Sequence, residues 1–269
     1  MRVAFALWAA AFLFVASPQS TAQAADRCPQ FFAQGQAPEL KNARLAAKVR
    51  PLCFSFFGIL HSGVTRTPLW AAEHLTRDTL RRAACVERVN TFHVENRLPG
   101  SERAELSDFV GSGLDRGHLA PAADFPTDEA QNESFSLANI IPQEATLNRS
   151  LWLHVETTVS GLTMRYGETY VVTGTAFVGK NLQSLNGRVI VPTQVYKAIY
   201  IPALEQAAAY FVDNSDTPDL QVLSIRELSA RTDVDPFPGL SAAVKTTAMK
   251  LPKPSNRGRP RCRPPYAPE

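Results

Sequence analysis

Beyond residue 24 the sequence has no apolar run long enough to cross a bilayer as a helix, which excludes a body built of membrane-spanning helices. The one long run, Val3 to Ala16, counts 14 residues against the ~20 that span. With Arg2 before it and Ala22-Gln23-Ala24 after it, residues 1–24 read as a secretory signal rather than an anchor, and the mature protein is expected to be secreted or periplasmic. Cysteine is scarce, four residues in 269, and no Cys-x-x-Cys pair occurs, so a zinc knuckle is excluded. An even count in an exported chain suggests two disulfides; three connectivities stay open, and the favoured one joins Cys28 to Cys53 and Cys85 to Cys262. No internal linker and no repeat is visible, so residues 25–249 read as one domain. That body also lacks a basic excess. From Lys250 onward six basic residues face one acid, a local +5, and removing these and Arg2 from the formal +3 leaves −3 for residues 25–249. A polyanion would therefore have to be held by local arginines, a metal ion or the Pro-rich tail, 250–269, itself read either as a solvated extension or as a nucleic-acid arm.

Along the chain, ELKNARLAAKVR is a helix candidate, LCFSFFGILHSG a buried strand, and TPLWAAEHLTRDTLRR a strand or helix start. SLANIIPQEATLNRSLWLHVETTVSGL holds the clearest helix. Leu147, Leu151, Val155 and Val159 form an apolar stripe, with Pro142 near its start and Gly161 near its stop. The C-terminal half turns β-branched and aromatic, with strands in TYVVTGTAFVG, RVIVPTQVYKAIYIP and AAAYFVDN, while LQVLSIRELSART begins as a strand and becomes helical. Strands paired by hairpins and helices grouped in blocks predict an α+β fold around a mixed, mostly antiparallel central sheet.

Chemistry concentrates where GSGLDRGHLAP follows an extended segment. Asp-Arg-Gly-His is poor core material, because three of its four residues are charged or titratable. His118 can take a proton from water, Arg116 offers a fork of donors matched to phosphate, Gly117 permits close approach, and Asp115 can orient a neighbour. On the helix, Asn148, Trp152 and Glu156 fall at i, i+4 and i+8, so Asn148 and Glu156 share a face but stand roughly 12 Å apart along the axis. Both cannot touch one small cation. Asn148 is the direct ligand oxygen for Mg²⁺, or another divalent ion such as Mn²⁺, and Glu156 acts from the outer shell. Base, anion clamp and metal together are the equipment of phosphodiester hydrolysis. A lone histidine or Arg-Asp pair is more often structural, but this tetrapeptide arises by chance in only about one in a thousand such chains.

The segment 111–156, with GSGLDRGHLAPAADF, ANIIPQ and LNRSLWLHVE, resembles the DNA/RNA non-specific endonuclease family. The likeness continues through TPLW, YVVTGTAF, VPTQVYKAIY and AAAYFVDN, covering most of residues 53–235. The resemblance implies a ββα-metal active site with His118 as general base, Asn148 as the one direct protein ligand of the ion, Glu156 in its outer shell and Arg116 on phosphate. It implies a second phosphate contact from Arg88 and a supporting role for Asn139. Ser160 stands where family members can carry arginine, which bears on substrate grip rather than on reaction class. The implied substrates are DNA and RNA, the products 5′-phosphate ends, and some relatives form homodimers. The alternatives are a hydrolase of smaller phosphodiesters and a catalytically silent nucleic-acid-binding relative.

Overall fold

The computed structural model describes residues 28–266, so the expected secretory signal lies outside the described residues. A seven-stranded sheet forms the frame. Its strands in chain order are β1 (Val49–Cys53), β2 (Phe57–Ser62), β3 (Thr67–Thr76), then, after the site elements, β6 (Glu168–Ala176), β7 (Gln194–Ile201), β8 (Gln206–Asp213) and β9 (Leu220–Leu223). The site elements between them are β4 (Asp115–His118) and β5 (Ile140–Gln143), which pair with each other in a separate two-stranded sheet. The large sheet runs β9-β8-β7-β6-β3-β2-β1 and is antiparallel at every pairing.

Period-two alternation sorts its side chains between two cores. Val195, Ile199 and Ile201 of β7 pack toward the site elements, with Phe57, Leu147, Trp152 and Val155. Tyr196 and Ala198 face the other way, toward Phe31, Phe32, Leu228 and Phe237. Both faces are covered, so the strands read as nearly continuous buried runs rather than clean alternations of apolar and polar. Lys197 and Glu73 place ionisable groups on the site-facing side, and both are buried.

The long helix comprises Ala145–Leu147, a π turn at Asn148–Trp152, and Leu153–Tyr166. Leu147, Val155 and Val159 are buried and Leu151 packs at the edge of the same core, so the apolar stripe stands. Burying an aliphatic side chain fully is worth about 1.5–3 kcal/mol, enough for four such residues to fix the rod against the sheet. Its punctuation differs from expectation. Pro142 belongs to β5, where a two-stranded ribbon leaves one side of each strand unpaired and tolerates the missing N–H. Gly161 lies inside the helix, which runs on to Gly167 at φ 102°.

The other departures are local. ELKNARLAAKVR forms a two-residue strand, Glu39–Leu40, against Val234–Asp235 and then a short 3-10 turn, Leu45–Lys48, because Val49 already starts β1 and too few residues remain between to repay helix nucleation. LCFSFFGILHSG is two strand segments rather than one, broken between Cys53 and Phe57 where the chain reverses from β1 into β2. TPLWAAEHLT is a full strand and RDTLRRA a helix capped by Thr76. The disulfides are Cys28–Cys53 and Cys85–Cys262, the favoured pairing. The C-terminal segment is no solvated extension: Leu251 is in the core and the Tyr210 hydroxyl donates to the carbonyl of Pro252 at 2.6 Å.

Candidate active site

The DRGH segment does not follow a strand but is one. β4 pairs antiparallel with β5 in the register Asp115↔Gln143, Arg116↔Pro142, Gly117↔Ile141 and His118↔Ile140, and the long helix follows directly, giving a ββα unit. Gly117 is glycine for a reason other than turning: a β-carbon there would overlap the Gln143 side chain, which lies across it. Immediately after the motif, Asn139 fixes the backbone. Its side chain accepts from the Ala120 amide at 3.0 Å and donates to the carbonyls of Ala120 and Ser134, each at 2.9 Å. The Leu119 amide bonds the Asn139 carbonyl at 3.0 Å. Through these bonds Asn139 sets where His118 emerges, which suits the supporting position expected for it.

His118 is 8% exposed, and its ring meets Phe135 edge-on at 4.9 Å and Phe92 at 5.5 Å. Burial, reinforced by the positive charge of Arg88, pushes its pKa down to about 3, so the imidazole is neutral at physiological pH. Its Nε2 has no hydrogen-bond partner among the described residues. A neutral ring with an unengaged nitrogen is what a proton acceptor requires. The same two phenyl rings orient the arginines: Arg116 lies over Phe92 at 4.3 Å and Arg88 over Phe135 at 5.1 Å.

Asn148 opens the π turn. That wider turn breaks the regular row drawn from Asn148 through Trp152 to Glu156 at its first step, since i→i+5 bonding rotates residues differently from an α-helix. Asn148 donates its side-chain N–H to Asp115 Oδ2 at 2.9 Å, and Arg149 donates to the same carboxylate at 2.8 and 2.6 Å. Burial pushes the Asp115 carboxyl up, but the bonds from Arg149 and Asn148 outweigh it and hold the pKa below its ordinary value. A carboxylate that takes the amide nitrogen leaves the amide oxygen of Asn148 for another partner. Arg88, Asn90, Phe92, Leu106, Asp115, Arg116, Asn148 and Arg149 together line an open cleft of about 540 Å³.

Behind the cleft lies a charge cluster that the sequence reading did not assemble. Glu156 opens to solvent at one edge, but its carboxyl is enclosed, and burial pushes its pKa up to about 7 against the opposing pull of Lys197 and Arg259. Asp124 and Glu73 are buried beside it, and both carboxylate oxygens of Glu73 lack a hydrogen-bond partner among the described residues. Lys197 donates to Thr173 and stands 5.7 Å from the Trp152 ring centre. One signal in the sequence marks this cluster: Glu73 and Lys197 sit at core-facing positions of apolar strands, between Ala71 and Leu75 and between Val195 and Ile199. Ser160 is buried and donates to the Glu156 carbonyl at 3.1 Å, so that position carries no positive charge.

Burial, with the charge of Asp124 adding to it, raises the pKa of Glu73 well above the carboxylate range. Folding therefore takes up a proton at this site. Stability from it is complete below the ordinary value and declines as pH rises toward the raised one. Glu73→Gln should melt with the wild type near about pH 4 and above it near about pH 8. Thermal melts of both proteins across pH check this; parallel curves would show that Glu73 does not titrate with folding.

The donor set fits a divalent cation held mainly by water. No group of three or more His, Cys, Asp and Glu side chains able to hold a metal occurs among the described residues, whereas the Asn148 amide beside the partly exposed Asp115 carboxylate is a hard-oxygen donor set compatible with a largely hydrated Mg²⁺ or Mn²⁺. A neutral imidazole, two oriented guanidiniums and a side-chain amide on a ββα unit are the kinds of group that a hydrolase of anionic esters uses. The chain belongs to the DNA/RNA non-specific endonuclease family, which matches residues 39–243. It is 34% identical over 200 residues to Nuclease C1 of Cunninghamella echinulata var. echinulata, covering 69% of this chain and 79% of that protein. It is 34% identical over 154 residues to the mitochondrial endonuclease G of Bos taurus, covering 52% of this chain and 50% of that one, so it spans only about half of this relative. Among solved structures, the complex of EndoG with EndoGI has the same fold at a TM-score of 0.64 and 22% identity, covering 77% of this chain and 92% of that one.

Proposed function

We propose that this nuclease hydrolyses internal phosphodiester bonds of DNA and RNA with little sequence preference and depends on Mg²⁺ or a similar divalent ion. The observation that carries the reading is the neutral, buried His118, held in place by Asn139 and packed against Phe92 and Phe135, the rings that carry Arg116 and Arg88, next to a cleft lined by those two arginines and Asn148. Asn148 would hold the cation directly, with Glu156 acting from its outer shell. The bound ion would supply positive charge against the phosphoryl oxygens. His118 takes a proton from a water molecule as the water oxygen forms its bond to phosphorus. The bond from phosphorus to the 3′ oxygen breaks, and that oxygen leaves with a proton from solvent, giving a 5′-phosphate and a 3′-hydroxyl. Arg116, and Arg88 behind it, bind the phosphate and offset its growing charge. The groove needs no basic body for this, because arginines stacked on phenyl rings are already oriented.

The reading also places the protein outside the reducing cytosol, secreted or periplasmic. All four cysteines are paired, which suits an oxidising compartment. No helix among the described residues is long and apolar enough to cross a membrane. Digestion of supercoiled plasmid and of a structureless RNA by disulfide-bonded protein, with Mg²⁺ and with EDTA, tests the function. Metal-dependent conversion of plasmid to nicked and linear forms and degradation of the RNA are expected. Cleavage of a dinucleotide but neither polymer would move the assignment to small phosphodiesters, and binding without cleavage would move it to a silent relative.

A further inference from the structure

We propose that Arg259 is a positioning residue for this site: carried on the C-terminal segment and tethered by the Cys85–Cys262 bridge, it supplies the second positive charge that holds Asp124 and Glu156 in register behind the cleft. The inference rests on the nuclease reading for its function and on the path of the segment for its geometry. After Leu251 enters the core, the Ser255 amide donates to the Thr158 hydroxyl on the long helix at 2.9 Å. The chain then crosses the helix at its one glycine. A β-carbon on Gly161 would lie a tight 3.1 Å from the Gly258 Cα, so the absence of a side chain at 161 lets the two backbones meet without displacement.

That crossing turns Arg259 inward. Its guanidinium comes within 3.4 Å of Asp124 Oδ1, with the two side chains 24% and 4% exposed. Three residues on, Cys262 is bonded to Cys85, and the Tyr266 hydroxyl donates to Asp78 at 2.6 Å. A solvated basic tail has no use for such a path. The cluster it reaches holds three carboxylates, Glu73, Asp124 and Glu156, and besides Arg259 the one buried cation facing them among the described residues is Lys197, with exposed Arg88 at the rim. Charges enclosed together are stable only when paired, so removing Arg259 leaves Asp124 and Glu156 to compete for one lysine. Arg259 Nη2 is committed to the ion pair with Asp124, while its buried Nε has no hydrogen-bond partner among the described residues.

The test uses the full chain with Arg259→Met, Arg259→Lys, and the paired Cys85→Ser and Cys262→Ser variant, in which Arg259 is intact but untethered. The readouts are kcat against pH, Mn²⁺ affinity by calorimetry, and melting temperature. Arg259→Met should lose about 10- to 100-fold in kcat and in Mn²⁺ affinity, as positioning groups around a metal do. Its acidic limb should move to higher pH, because Glu156, facing Glu73, Asp124, Lys197 and Arg88, loses a cation that favours its charged form. Arg259→Lys should restore most of both, and the untethered variant should fall in between. Unchanged kcat and an unmoved limb in Arg259→Met overturn the proposal. So does a lowered melting temperature with the limb and Mn²⁺ affinity intact, which marks a merely structural ion pair. If Arg259→Met does not fold, the untethered variant and Arg259→Lys decide alone: wild-type limbs in both overturn it. A wild type inactive on plasmid would instead fail the nuclease reading, and Mn²⁺ affinity would still report on the cluster.

Discussion

Replacing His118 with alanine is expected to lower kcat on plasmid by about 10²- to 10⁴-fold, the usual contribution of a positioned general base. KM should change little. Arg116 and Arg88 stack on Phe92 and Phe135 rather than on the imidazole, so the variant keeps its grip on phosphate. The pH profile provides a sharper check than the rate. A histidine free in water titrates near 6.5, and a base at that value would impose an acidic limb there. Here burial and Arg88 hold the imidazole near 3, so His118 is competent well below neutrality and the limb of the wild type should belong to Glu156, near 7. The depressed value has a sign for stability as well. Neutral His118 contributes fully above the ordinary histidine pKa, and its contribution is lost as pH falls toward 3. His118→Ala should therefore resist acid better than wild type while cleaving far less. A variant that cleaves plasmid at the wild-type rate removes the proposed mechanism, whatever its melting curve shows.

The residues around His118 show what a linear reading can reach. The motif, its partner segment IIPQ and the helix bearing Asn148 lie within 52 residues, 115–166, and a local ββα unit is legible because its chemistry is written contiguously. The apolar stripe through Leu147, Val155 and Val159 was legible for the same reason, since one helix reports its own buried face. What escaped depends on distant strands or on backbone detail. Glu73 and Lys197 are 124 positions apart and meet only because β3, β6 and β7 are neighbours in the sheet. The period-two pattern flags each as a charge on a core face, but no pattern says that they face one another. The π turn at Asn148 is set by a few residues with no distinctive composition, so an ideal helix was the natural expectation there. Gly161 reads as a stop because glycine usually ends helices; here it is the point where another segment crosses. Proline content made the C-terminal segment look solvated. Proline disfavours regular structure but not packing, and a disulfide spanning 177 positions of sequence brings this stretch back onto the helix.

Asn148→Ala is expected to abolish metal-supported turnover and weaken Mn²⁺ binding by at least about 100-fold, the upper range seen when even an indirect partner of a metal is lost. Calorimetric titration of Mn²⁺ measures the second effect without reference to activity. The more telling variant is Asn148→Asp. By ligand chemistry alone, a carboxylate is a better partner for a hard cation than an amide and should bind more tightly. The structure argues the opposite. Asn148 is oriented because its N–H donates to Asp115, and an aspartate there has no N–H to give and sets a negative charge against the Asp115 carboxylate. Arg149 offsets part of that repulsion, but its side chain is 73% exposed, and solvent screens such a surface pair heavily. Asn148→Asp should therefore be impaired, and Asp115→Asn in the same chain should recover part of the loss by removing one of the two charges. Tighter Mn²⁺ binding and full activity in Asn148→Asp would show that the Asp115 contact does not orient the ligand. Unchanged metal dependence in Asn148→Ala would remove Asn148 from the metal site altogether and turn attention to Asp115, the carboxylate beside it in the cleft.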